Sequence, residues 1–210
     1  MHDRTPSRTD SPQVLAFLLL GVAAVLVAAF RFIPYQYRML NFVPAGAMFL
    51  YAGSRLRSSG WLMLPFIVLA LTDVYFLIVN SWPISPFVYA SYALYLLLGW
   101  WMLRSSENPF RIGVVAATGS VQFFLISNFS VWFEHQINPS LFSGQVLQYP
   151  GTIQGLLYCF EMGLPYFQGT ILGDLAFGGL FFGAHALLAR AWFPAERLAT
   201  SPTESMETQA

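Results

Sequence analysis

Hydrophobic residues along this chain gather into long runs separated by short polar breaks, and neither amphipathic helices nor alternating strands dominate. Six apolar stretches run near Gln13–Ile33, Asn41–Gly53, Trp61–Val79, Pro86–Leu103, Phe110–Trp132 and Phe167–Trp192. A helix needs roughly 20 residues to span a bilayer. Five of the stretches approach that length. The second is short, so it is expected to be tilted, kinked near Pro44, or to begin inside the membrane. A further apolar stretch, Thr152–Leu164, is bounded by Pro165 and too short to span, which predicts a re-entrant or interfacial helix. No ten-residue alternation of the kind that builds a membrane barrel is present. The predicted fold is an all-α membrane protein, a bundle of six transmembrane helices plus that short helix near 152–164.

Composition agrees with the pattern. Of 210 residues, 56% are hydrophobic and 10% charged, where a soluble domain carries about 25% charged residues. The expected organisation is a tail over 1–12, one membrane domain over 13–193 and a tail over 194–210. Both tails are polar and proline-bearing, which predicts disorder. The first apolar run continues through Val22–Val27 with no small-residue cleavage site, so it reads as a span rather than a signal peptide.

Charge sets an orientation. All ten basic residues are Arg. With six spans and the N-terminus inside, Arg4, Arg8, Arg55, Arg57, Arg104, Arg111, Arg190 and Arg197 fall inside, and Arg31 and Arg38 outside. The positive-inside rule favours this arrangement, with both termini cytoplasmic. The absence of Lys points to a GC-rich genome and hence to a bacterial inner (plasma) membrane. The longest connection, Phe133–Tyr166, is then external. It carries Glu134, His135, Gln136, Asn138, Gln145, Gln148, Tyr149 and Gln154, the composition of a lid or binding loop.

Polar residues at membrane depth are the candidate chemistry. On this topology Asp73 lies about 9 Å, and Asp174 roughly 10 Å, below the outer ends of their helices at 1.5 Å per residue. Asn41 opens the second helix, Arg31 and Arg38 flank the same mouth, and Asn128 lies near the outer end of the fifth helix. A carboxylate in lipid costs at least ~2.5–3.5 kcal/mol, so both Asp residues are expected to face the bundle interior. They either line an outward-facing pocket with Asn41 and Asn128, or form structural ion pairs with Arg31 or Arg38. Trp132 and Tyr149 are placed to stack on a ring-bearing ligand, although the six Trp residues also fit an interfacial belt.

The sixth helix presents Gly169, Gly173, Ala176, Leu180, Gly183 and Leu187 on one stripe. Asp174, Gly178, Phe181 and His185 fall on nearly the opposite face. His185 reads as a buried imidazole bonded to a backbone carbonyl. His135 and His185 differ in depth, which argues against a metal site. Ala24 and Ala28 on the first helix are spaced to form a face that docks a partner helix. The single Cys159 excludes an internal disulfide, and zero net charge gives no support to a nucleic-acid partner. No phosphate loop, nucleophile elbow or zinc-protease motif occurs, and Ser120 and Ser127 have no neighbouring His. No catalytic residues and no cofactor are therefore expected.

Several strings carry a resemblance: Arg31–Pro34, Asn41–Ala47, Asp73, Phe123–Trp132, Tyr149-Pro150, Gly155-Leu156 and Pro165–Phe167 through Gly173-Asp174. In this order they resemble an uncharacterised family of small multi-span proteins classed as transport proteins. That family is distantly similar to the substrate-binding S components of energy-coupling-factor (ECF) vitamin transporters. The resemblance covers about residues 30 to 183. It implies a substrate-capture subunit that binds a small, vitamin-like molecule from outside, under the loops holding Arg38 and Asn41, Asn80–Ser85 and Glu134–Tyr149. A separate transmembrane coupling protein and ATPases would supply energy, meeting the face that holds Ala24 and Ala28. The connection Phe133–Gln148 is longer than in the small family. The competing readings are a membrane enzyme at the outer leaflet using Asp73 and Asp174 as acid and base, and a structural subunit.

Overall fold

A computed structural model describes residues 11–37, 39–57, 59–104, 106–139 and 149–192. Among these, six α-helices account for nearly all the structure: α1 (Ser11–Phe32), α2 (Ala45–Arg55), α3 (Leu64–Asn80), α4 (Pro86–Met102), α5 (Pro109–Ile137) and α6 (Ile153–Trp192). Two 3₁₀ turns, Tyr35–Tyr37 and Ser59–Met63, join the first three helices. No strand occurs among the described residues. Four helical segments are long and apolar enough to cross a bilayer: Gln13–Phe32, Gly60–Asn80, Pro109–Ile137 and Ile153–Trp192. The protein is thus membrane-embedded and multi-pass.

The short second stretch is the centre of the bundle. α2 is 11 residues long, or about 17 Å, and every residue from Ala45 to Ser54 is buried. A helix that is apolar all round is one enclosed by protein. Small residues let its neighbours close on it. A Cβ on Gly53 would strike the backbone carbonyl of Leu96, and one on Gly99 of α4 would strike that of Leu50. One turn away, Phe49 stacks on Tyr92 with ring centroids 4.8 Å apart. At the far end, Gln13 of α1 donates to the Arg55 carbonyl (3.0 Å) and accepts from the Arg57 amide (3.2 Å), satisfying backbone groups that the end of α2 leaves open.

α2 begins at Ala45, later than the apolar stretch that predicted it. Residues 39–44 are irregular, with Asn41 in the left-handed region at φ 55° and the Val43 amide bonded to the Asn41 carbonyl at 2.9 Å. Asn tolerates that conformation. Irregular backbone at membrane depth survives only where protein covers it. The cover is α6: Gly169 lies against Leu40 and Phe42, and a Cβ on Gly173 would stand 3.2 Å from the Val43 carbonyl oxygen.

The separate helix expected near 152–164 is not formed. Residues 153–192 make one 40-residue helix with Pro165 inside it. Pro165 removes the amide that would reach the Glu161 carbonyl, but the side chain is exposed, on the face turned away from the bundle. A membrane helix absorbs such a loss when its neighbours hold it in place. Here α5 does so along its length, with Phe124 against Phe167 at 4.9 Å and Gly163 closed against the Asn128 side chain. The expected loop over 133–166 shrinks accordingly. α5 runs on to Ile137 and α6 starts at Ile153, so the connection spans residues 138–152. Of these, 140–148, with Gln145 and Gln148, lie outside the described residues.

The stripe predicted on α6 is also only partly right. Gly169, Gly173, Asp174, Gly178, Phe181 and Phe182 are buried together, whereas Ala176, Leu180 and Leu187 are exposed. Ser11 and Pro12, assigned to the N-terminal tail, open α1. The remainder of the expected tails, 1–10 and 194–210, lies outside the described residues.

Candidate functional site

Three of the six helices start with proline, at N1 of α4 and α5 and at N2 of α3. Proline suits those positions because its missing amide is one the helix start leaves unpaired anyway. α5 adds an N-cap: Asn108 Oδ1 accepts from the amides of Phe110 (2.9 Å) and Arg111 (3.3 Å). α2 has neither device. Its N-cap position is Pro44, with no side chain bonded to the first turn. Another helix brings a carboxylate to it.

That residue is Asp174 of α6, 1% exposed. Its carboxylate lies against the first turn of α2, beside Gly46. It accepts from the Tyr95 hydroxyl of α4 and the Ser120 hydroxyl of α5 at 2.7 Å. Gly46 is required beside it, because a Cβ there would overlap the carboxylate. A negative charge at a helix N-terminus is favoured by the exposed amides and the helix dipole. Asp174 therefore joins four helices in one buried layer, and among the described residues no Arg takes part. Of the expected alternative, the ion pair of Asp174 with Arg31 is not formed, since Arg31 pairs with Asp73, and Arg38 lies outside the described residues.

Asp73 of α3 is held by a cation. Arg31 at the end of α1 donates from Nη2 to Asp73 Oδ1, and the Tyr89 hydroxyl of α4 donates to Oδ2 at 2.8 Å. The guanidinium stands 5.6 Å from the centre of the Phe76 ring, a cation–π distance. Its Nε is buried without a hydrogen-bond partner.

Between these two carboxylates lies a cavity of about 460 Å³, within the usual range of small-molecule pockets. It brings together Arg31, Asn41, Asp73, Asn128, Tyr149 and Asp174 from the residues singled out in the sequence. Its apolar walls include Phe76, Trp82 and Phe123. Trp132 is not on the wall: its indole donates to the Pro150 carbonyl at 2.8 Å, tying α5 to the start of α6. Arg38 lies outside the described residues. Tyr149 reaches the cavity from the connection before α6, where burial pushes its phenol up to about 12. It stays a neutral hydrogen-bonding group at physiological pH.

Tyr89, Tyr92, Tyr95 and Ser120 were not expected at a site. The tyrosines of α4 sit in a continuous apolar run and read as core. Their spacing, Tyr89, Tyr92 and Tyr95, is nevertheless one helix face, and that face is the signal. Ser120 stands next to Gly119, which admits the Tyr95 ring.

The remaining predicted residues lie elsewhere. His185 bonds to a side chain rather than a backbone carbonyl, with Nδ1 2.7 Å from the Tyr51 hydroxyl. Ala24 and Ala28 are half-buried on α1, and Ala24 packs on the bundle's own core. The exposed side of α1 is Val14, Leu18, Val22, Val25 and Phe32.

Fold and cavity together define an all-helical, multi-pass membrane protein with a polar-lined internal cavity. Residues 11–197 match the family of unknown function DUF6580, and the chain belongs to that family. No curated protein and no solved structure matches the chain.

Proposed function

We propose that the chain is a membrane transport protein that captures a small molecule in the Arg31–Asp174 cavity, in the manner of an ECF S component. The observation that carries the reading is the cavity itself: groups from the ends of α1, α3 and α5, from the middle of α6 and from two connections converge on one space. The Arg31 Nε–H, the amides of Asn41 and Asn128 and the Tyr149 hydroxyl offer hydrogen bonds. Phe76, Trp82 and Phe123 offer ring faces. Such a lining suits a vitamin-like molecule with a flat ring and acceptor atoms.

The membrane setting belongs to the same proposal. The chain passes through a bacterial inner membrane six times, the short α2 making its pass together with the irregular residues before it, enclosed by the other helices. Both termini are cytoplasmic, which places eight Arg inside and Arg31 and Arg38 outside. The cavity then faces outward. Release inward would use a transmembrane coupling protein and ATPases.

The enzyme reading is less well supported. Asp73, paired with Arg31, is not poised as a base, so the two carboxylates do not form the acid–base pair that reading needs. The test is a thermal-shift screen of the purified full chain against vitamins, their precursors and metal ions. A ligand at a hundred times its Kd stabilises by about 2.7 kcal/mol. A saturable shift lost in Asp73→Asn is expected. Absence of any shift across the screen would contradict the proposal.

A further inference from the structure

A second cavity, of about 310 Å³, lies on the other side of Asp174. Its walls come from the other end of the same helices: Ile112 and Ala116 of α5, Gly178 and Gly183 of α6, and the charged Arg55 and Arg190. Along α5 the first cavity takes residues from Phe123 onward and the second takes residues up to Ala116, with Ser120 between them. Along α6 the first takes Cys159 to Thr170 and the second Leu175 to Arg190. Asp174 is the one described residue on the walls of both. The second cavity is kept open by glycine: a Cβ on Gly178, Gly179 or Gly183 would meet nothing within 4 Å. Both cavities reach exposed residues, Trp82 and Pro83 at one end and Glu107 and Arg190 at the other.

We propose that the layer of Asp174, Tyr95 and Ser120 is a proton-operated closure between two cavities, so that the bundle holds a transmembrane path of its own. This goes beyond capture, because it gives the chain a route for a proton and a means of alternating access. An ionisable residue inside a membrane bundle is costly and marks ion or proton pathways more often than it serves packing alone.

The chemistry follows from the acceptor count. As a carboxylate, Asp174 accepts from the Tyr95 and Ser120 hydroxyls, both on Oδ2. A proton arriving from either cavity forms an O–H bond on one carboxylate oxygen. The group then carries a donor of its own and fewer acceptor sites. Both hydroxyls donate to Oδ2, so a proton on that oxygen leaves room for only one of them: Tyr95 or Ser120 must turn away, and the tie of α6 to α4 or α5 loosens. Departure of the proton into the opposite cavity restores the layer, with no change of oxidation state. The other ionisable groups on the two cavities' described walls are Tyr92 and Tyr95 of α4, the Arg31–Asp73 pair, Tyr149, Cys159 and Tyr166 in the first, and Arg55, Glu107 and Arg190 in the second, with the Tyr51–His185 pair near Arg55. None of the charged ones pairs with Asp174, which leaves its carboxylate free to exchange charge with a proton alone.

The test uses the full chain in phosphatidylcholine–phosphatidylglycerol liposomes with an entrapped pH-sensitive dye and a potassium–valinomycin potential. Wild type should take up protons several-fold faster than protein-free liposomes. Asp174→Asn should fall to the protein-free rate. Tyr95→Phe, which removes only a hydroxyl from the layer, should exceed wild type. Glu161→Gln, on the exposed surface of α6, should match wild type. If Asp174→Asn does not fold, Tyr95→Phe and Ser120→Ala decide, and unchanged flux in both overturns the proposal. It is equally overturned if wild type conducts no faster than empty liposomes, or if folded Asp174→Asn conducts as wild type does. A saturable thermal shift without proton flux would keep the capture reading and reject this one. Flux without any ligand-induced shift would do the reverse.

Discussion

Asp73 and Asp174 line one cavity but are held by opposite means. Asp73 is 16% exposed on its side chain, against a guanidinium that is itself 20% exposed. Asp174 is 1% exposed and, among the described residues, is met by neutral donors and a helix N-terminus. The first is a pair that can be removed as a pair. The second is a junction with no single partner to delete alongside it. The difference shows that depth alone does not specify how a membrane carboxylate is stabilised; what matters is which groups the surrounding helices bring to that depth.

The comparison can be broken most severely at Asp174. Asp174→Ala leaves the Tyr95 hydroxyl without its acceptor and the first turn of α2 without the carboxylate against it, while Ser120 keeps the Ala116 carbonyl at 3.1 Å. Each unsatisfied buried donor costs ~1–3 kcal/mol, so a loss of several kcal/mol is expected in denaturant unfolding in micelles. Asn in its place should recover part of that, since its amide oxygen still accepts. An Ala variant that unfolds with wild type would mean the layer is not a structural junction.

At the other carboxylate the expected loss is smaller and reversible. Asp73→Ala strands the Arg31 guanidinium. Breaking a buried pair costs about 3–5 kcal/mol, and partial exposure here brings the expectation below that range. The double replacement Arg31→Met with Asp73→Leu should restore most of the stability, because apolar residues of similar size often replace a buried pair without loss. A double variant as unstable as the single one would show that Asp73, like Asp174, is tied into more than its pair.

The smallest effects separate packing from open space. Gly53→Ala should destabilise by ~1–3 kcal/mol, because its Cβ meets the Leu96 carbonyl and the α2–α4 crossing must part. Gly179→Ala should leave stability unchanged or raise it by up to about 1 kcal/mol, since its Cβ meets nothing and Ala favours the helix. Unfolding midpoints of the two variants, measured side by side, check this. Equal destabilisation would place Gly179 in a contact the structure does not have.

Much of the helix count was legible in the sequence, because each apolar run is long and its breaks are polar. The clustering of Asn41, Asp73, Asn128 and Asp174 was legible too, from counting residues up each predicted span. The start of α2 was not. Nothing local to Pro44-Ala45-Gly46 says that the carboxylate against this helix start lies about 130 residues away on α6. Pro165 misled for a related reason. Proline is a local signal for a helix end, yet its exposed position and the packing of α5 decide the outcome here. Trp132 shows the limit of residue type as evidence: an indole near a candidate pocket could stack on a ligand, but its N–H found the Pro150 carbonyl. The α4 tyrosines were hidden because a tyrosine in an apolar run looks like core until its hydroxyl has a partner.

The most direct test of capture in the cavity is to fill it. Ser127 lines the cavity from α5, and Ser127→Trp places an indole in the space. Thermal-shift titration would compare this variant with the parent across the vitamin, precursor and metal screen. The account predicts a compound that stabilises the parent saturably and leaves the folded Ser127→Trp variant unshifted. A screen with no saturable hit, or a hit that shifts both proteins equally, would contradict it.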